Sequence, residues 1–216
     1  VPMAGGAGLR DGEMPFDGPL KPGDAVGVTF VSGDLELGAT GTVTHIDGDR
    51  VYAFGHPMYN LGPTEFPMTR AYVYAVLPSL FSSSKLSSTN EVIGTFLQDR
   101  ATAIAGRLGA GPSLLPVSLT LDSDRGGART FTFNVVRDQM FTPLMTYVAL
   151  INTLTSYERQ YGASTYSVKG SIGLKKYDAI TFDNVFTGEG ASSSASAYVV
   201  APLTALINND FEDAQI

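Results

Sequence analysis

Both histidines of this 216-residue chain fall in one short stretch, GTVTHIDGDRVYAFGH, as His45 and His56. An imidazole titrates near neutrality, so a well-placed histidine can take a proton from a serine hydroxyl and return it to a leaving group. His56 has neighbours suited to that work. Gly55 before it allows positive φ or a close backbone approach, and Pro57 after it drives His56 out of the right-handed helical region. The competing reading is a buried, hydrogen-bonded loop histidine. His45 lies mid-strand beside a turn and reads as an exposed cross-strand residue.

A histidine base works best when an acid fixes its tautomer. The candidate is Asp99, in the expected hairpin turn LQDRAT. Its alternative is a turn carboxylate paired with Arg100 or with its own backbone. Asp47 and Asp49 flank the glycine of IDGDR and read as turn residues. The nucleophile is harder to find. Ser82, Ser83, Ser84, Ser87 and Ser88 lie in an expected flexible loop, Ser192–Ser194 in a glycine-rich turn entering a helix, and Ser113 just ahead of a strand. None has the G-x-S-x-G or G-x-S-G-x setting that holds a serine on a strained turn beside oxyanion-binding N–H groups. A base is present without its serine.

Other chemistries are narrowed by composition. With no cysteine there is no thiol nucleophile, disulfide framework or cysteine-based zinc site, and two histidines without an H-x-x-x-H pair give no catalytic zinc site. AGGAG and GRLGAG are glycine-rich but are neither a Walker A loop nor a G-x-G-x-x-G joining strand to helix, so no cofactor is expected. The stretch HPMYNLGPTEFPMTRAYVY combines aromatics, prolines, Glu65 and Arg70, and reads either as a loop packed on its own barrel or as a peptide-groove lining.

The elements that must carry these residues are mainly β. Residues 1–23 are rich in Gly and Pro and read as a lead-in. From Asp24 to about residue 110 alternating runs are cut by SGD and DGD, and Asp-Gly in IDGDR marks a hairpin. Strands are expected at TRAYVYAVL, EVIGTFLQ and ATAIAGRLG, then at LPVSLTL and ARTFTFNVV. Residues 111–216 form a mixed α+β segment. Leu144, Tyr147, Val148, Ile151 and Leu154 recur at helical spacing, giving a helix near 143–160 with Thr142 as N-cap and Gly162 as stop. Strands TYSVKGSIGL and DAITFDNVF follow, then a helix near 193–208 that Pro202 should kink or restart.

Hydrophobic content of 44% against 16% charged residues indicates a folded protein. A net charge of −7 leaves no broad basic footprint, so nucleic acid is not an expected partner. The longest apolar stretches, Tyr72–Phe81 and Leu144–Leu154, are too short to span a bilayer. No charged region followed by an apolar core opens the sequence, so a signal peptide is not expected in it, and a start at Val1 without an initiator Met is expected of a processed or excised segment.

ATGTVTHIDGDRVYAFGHPM followed by VIGTFLQDRATAIAGRLG resembles the serine peptidases related to stage IV sporulation protein B. The resemblance covers roughly residues 37–110. It implies a trypsin-like double β-barrel, with the base on one barrel and the serine on the other, the Gly55-His56 hairpin belonging to the barrel that carries the base and His56 standing at the position of the family's catalytic histidine. Chymotrypsin-like barrels present their base in the same way, on a strand ending in Gly-His just after a hairpin. The family's serine lies in a Gly-Met-Ser-Gly-Ser-Pro motif that is absent here, and Ser192–Ser194 do not match it. In some long, envelope-associated bacterial relatives that motif precedes the histidine segment. The expected partner is then an N-terminal serine-bearing segment of the same precursor, the substrate a protein or peptide, and the location the bacterial cell envelope, periplasmic or extracellular. The chain alone is expected to be inactive. The alternative is a non-catalytic peptide- or protein-binding scaffold on a protease-like fold.

Overall fold

The computed structural model describes residues 18–80, 83–124, 126–158, 162–212 and 214–216. The chain divides into two compact units, one ending at Leu114 and the other starting at Leu115.

The first unit is a closed antiparallel barrel of six strands. They are β1 (Ala25–Gly33), β2 (Leu37–Asp47), β3 (Arg50–Ala53), β4 (Gly62–Leu77), β5 (Ser84–Arg100) and β6 (Ala103–Leu108). The order is β2-β3-β6-β5-β4-β1, and β1 pairs with β2 to close the ring. Strands β4, β5 and β6 follow one another as hairpins, while β3 lies beside β6, which makes a Greek key. Alternation decides which side chains face inward. Val51 and Ala53 on β3 are buried between the exposed Arg50 and half-buried Tyr52, and Ile104 and Gly106 alternate likewise on β6. Val26, Val28, Val43, Phe66, Met68 and Phe96 complete the interior, with Phe30 and Phe66 edge-to-face at 5.5 Å.

Several expected boundaries move. Of the expected lead-in, residues 1–17 lie outside the described residues. The remainder is tied to the barrel: Leu20 is buried, the Gly23 N–H donates to Val43 O at 2.9 Å, and Arg70 donates to Gly18 O at 2.8 Å. GPTEFPM is the first part of β4 rather than loop, because Phe66 and Met68 supply core volume that outweighs two prolines. The serine-rich stretch from Ser84 belongs to β5, where Ser87 Oγ donates to Thr40 Oγ1 at 2.9 Å and Ser88 meets Tyr74 OH at 3.2 Å. Cross-strand partners hold these serines extended, although their composition alone reads as loop.

The second unit holds β7 (Leu114–Ser123) and its neighbour β8 (Gly127–Val136), α1 (Phe141–Tyr157), the antiparallel pair β9 (Ser164–Ile172) and β10 (Ile180–Gly188), and α2 (Ala191–Ile207). Helix α2 packs on α1 and on both strands of the β9–β10 pair. Leu154, Tyr166, Ala191 and Ala195 form the core cluster, with Leu121, Val168 and Phe186 against it.

The α1 terminus differs from expectation. Its N-cap is Met140, and the Asp138 carboxylate accepts the N–H groups of Met140 and Phe141, both at 2.9 Å. Thr142 is already inside the helix and donates to Val136 O. The helix ends at Tyr157, short of Gly162. Helix α2 continues through Pro202 as one element instead of restarting there. Among the described residues no helix is long and apolar enough to cross a membrane.

Candidate site around His56

Strand β3 stops at Ala53, and the next two residues turn the chain sharply. Phe54 has φ 71° and Gly55 φ 74°. Glycine accepts that conformation freely, whereas a phenylalanine there costs about 1 kcal/mol or more and must be held by its surroundings. Three contacts hold it. The Phe54 N–H donates to Thr42 O at 3.0 Å. Its ring lies over Gly41, where a Cβ would come within 2.6–2.7 Å of three ring atoms. Its edge-to-face partners are Phe96, at 6.3 Å, and the His56 imidazole, at 6.0 Å.

His56 is therefore delivered to the barrel surface, exposed, with one face on Phe54. Its Nδ1 lies 2.8 Å from Pro57 O. A carbonyl can only accept, so the bond selects the tautomer with the proton on Nδ1 and leaves the Nε2 lone pair free to take a proton. The expectation of a buried loop histidine is set aside by this exposure.

Asp99, near the end of β5, is 1% exposed. Oδ1 accepts the Met58 N–H at 2.8 Å, and Oδ2 accepts those of Tyr59 at 2.8 Å and Leu61 at 3.3 Å. The expected bond to the imidazole is not among these. Instead the carboxylate fastens the loop that starts just after His56, through three charge-assisted bonds to backbone. Nor does Asp99 pair with Arg100, whose Nε donates to Gln98 Oε1 at 2.8 Å. The sequence placed His56 and Asp99 in one neighbourhood, but the backbone N–H groups linking them carry no residue signature.

His45 is exposed and opposite Tyr52, ring centroids 6.1 Å apart, as its strand position implies. Asp49 does more than turn the chain, since it pairs with Arg107 on β6 at 2.8 Å. Glu65 is exposed on β4. Among the described residues no serine hydroxyl bonds to His56. Ser113 is exposed just ahead of β7, Ser193 Oγ meets Tyr147 OH at 2.9 Å, and Ser192 offers its carbonyl to Ser196. Ser82 lies outside the described residues. Among the described residues no group of three or more His, Cys, Asp or Glu is placed to hold a metal ion. Comparison with known protein families, with curated proteins and with solved structures found no match to this chain.

Proposed function

We propose that the barrel is the histidine-bearing part of a trypsin-like serine endopeptidase related to stage IV sporulation protein B, working on protein or peptide substrates in the bacterial cell envelope. The observation that carries the reading is His56, exposed at the end of β3 with Nδ1 held by Pro57 O and Nε2 open. A closed Greek-key barrel with its histidine after β3 and its acid near the β5–β6 turn agrees with it. His56 acts as general base. Its Nε2 takes the proton of a serine hydroxyl as the oxygen attacks the scissile carbonyl, then gives that proton to the departing amine. The Pro57 carbonyl faces the charged imidazolium and stabilises it. Asp99 is a positioning residue, acting through the loop from Met58 to Leu61. The serine comes from a segment outside these 216 residues, in the N-terminal part of the same precursor.

The isolated chain should hydrolyse no peptide and take up no fluorophosphonate, and labelling of any of its serines would overturn the reading. In a longer protein carrying a Gly-Met-Ser-Gly-Ser-Pro segment, His56→Ala should abolish peptide cleavage with the circular dichroism spectrum unchanged. A second reading, a binding scaffold without catalysis, is favoured by the exposed apolar side chains Tyr74, Val76, Leu77 and Leu86 on the β4–β5 arm. Cleavage that survives His56→Ala in the longer protein would reject the role given to His56, and saturable peptide binding with no cleavage in the wild-type longer protein would select the scaffold.

A further inference from the structure

The second unit contains a cleft of about 770 Å³ between β7, α1, β9 and α2. That is within the range of ligand sites, roughly 300–1,000 Å³. Its two long walls are strands: consecutive residues 119–122 of β7 and 164–169 of β9 line it. Neighbouring side chains on a strand point to opposite faces, so consecutive residues on one lining mean that the strand turns its edge to the cleft. The other edge of each strand is taken, β7 by β8 and β9 by β10. Among the described residues no backbone hydrogen bond joins β7 to β9. Two strand edges therefore face one space, each directing alternate N–H and C=O groups into it. The stretches LTLD and STYSVK contain neither proline nor glycine, so nothing in them blocks a further strand.

The floor and the alternation specify what such a strand would carry. Leu121 and Val168 pack inward on the cluster that contains Leu154 and Ala195, and Leu150 and Val199 extend the same floor. Between them Thr120, Asp122, Thr165 and Ser167 are exposed. A strand laid between β7 and β9 shares that alternation, with apolar side chains toward the helices and polar ones toward water. Charge does not select, because Asp122, Asp124, Glu158 and Lys169 are joined by Arg125 and Arg159 beside them in sequence. The last described residues are engaged elsewhere. Gln215 O accepts the Lys175 N–H and Ile216 O accepts from Arg137, and neither donor lines the cleft.

We propose that this cleft takes an extended peptide segment of another polypeptide, with apolar residues at alternate positions, as a strand between β7 and β9. Its backbone bonds to both edges and joins the β7–β8 and β9–β10 pairs into one sheet over α1 and α2. The backbone bonds supply affinity, and the apolar side chains on the helix side set the register. The site uses none of the residues around His56 and does not rest on the peptidase reading.

The test is calorimetric titration of the full 216-residue chain with the peptide acetyl-KVTVTVK-amide, with amide exchange followed by NMR. Saturable binding is expected, and alternate amides within residues 119–122 and 164–169 should exchange at least about tenfold more slowly in the complex. N-methylation of the peptide's valines removes the donors toward one edge and should weaken binding at least about tenfold. The peptide acetyl-KTTTTTK-amide keeps the backbone, loses the apolar side chains and should weaken by a similar factor. Leu119→Lys puts a charge on the lining and should do the same, with an unchanged circular dichroism spectrum. Absence of saturable binding by acetyl-KVTVTVK-amide, undiminished affinity of the N-methylated peptide, or slowed exchange confined to other amides would overturn the proposal. Concentration-dependent dimerisation of the free chain that slows exchange at the same amides would overturn it in favour of a second copy as the occupant.

Discussion

At the scale of single residues, a carboxylate expected to serve a side chain serves the backbone instead. Asp99 is buried, and its two oxygens receive the N–H groups of Met58, Tyr59 and Leu61. Aspartates in turn-like sequences commonly bond backbone, so the residue type was legible and its target was not. The consequence for stability is direct. Asp99→Ala leaves three donors without their acceptor, and the expected loss is about 3 kcal/mol in urea unfolding at pH 7. Asp99→Asn keeps one acceptor oxygen and should lose less. Amide exchange distinguishes this role from a general weakening of the barrel: Met58, Tyr59 and Leu61 should lose protection before core amides such as that of Phe96. Equal protection in wild type and Asp99→Ala would show that the carboxylate does not hold the loop. His56 was legible in a different sense, because Gly55 and Pro57 restrict its backbone from sequence alone. The left-handed Phe54 was not, since the ring contact that holds it reaches back to Gly41 on another strand.

At the scale of elements, exposed termini are held by charges whose protonation can be set experimentally. The segment after α2 returns to the β9–β10 connection. Lys176 Nζ lies 2.9 Å from Glu212 Oε1, Tyr177 OH donates to Glu212 Oε2 at 2.6 Å, and the Lys175 N–H donates to Gln215 O at 2.9 Å. The Lys176 bond, then the Tyr177 bond, holds the Glu212 carboxyl below its ordinary value of 4.5. The bond to Glu212 and its charge raise the Tyr177 phenol above its ordinary 10.0. A folded-state carboxyl below its unfolded value stabilises above that value and loses the contribution as pH falls through the folded one. A phenol raised on folding stabilises below its unfolded value and loses the contribution as pH rises through the folded one. The clasp should therefore be formed between 4.5 and 10.0, and open as pH falls through the lowered Glu212 value or rises through the raised Tyr177 value. Heteronuclear NOE values of Phe211 and Gln215 should drop below pH 4.5 in wild type, and at pH 7 in Glu212→Gln. Because all three side chains are exposed, global stability should hardly change. NOE values insensitive to both acid and the substitution would remove the clasp.

At the scale of the molecule, the strands were legible one by one but their closure was not. Alternation and turn residues mark where each strand of the barrel runs, with GPTEFPM and the serine-rich start of β5 the main losses, because cross-strand packing there overrides composition. Nothing local tells β3 to pair with β6, or β1 with both β2 and β4. Those choices emerge from filling one interior with Val26, Val28, Val43, Phe66, Met68 and Phe96 together. The pairings join residues far apart in sequence, as Arg50 opposite Arg107 and Val28 opposite Met68. Loop-closure entropy must be met before such contacts reward it, so a barrel built this way folds slowly for its size. Its refolding from urea should take milliseconds to seconds, in the range of barrels dominated by non-local pairing. The chain has no tryptophan, so stopped-flow far-ultraviolet circular dichroism is the suitable probe. Phe66→Leu, which loosens the interior at the β4–β5 pairing, should slow folding if that pairing belongs to the transition state, and otherwise speed unfolding alone. Complete recovery of β signal within tens of microseconds would contradict closure as the slow step, because only local hairpins form on that timescale.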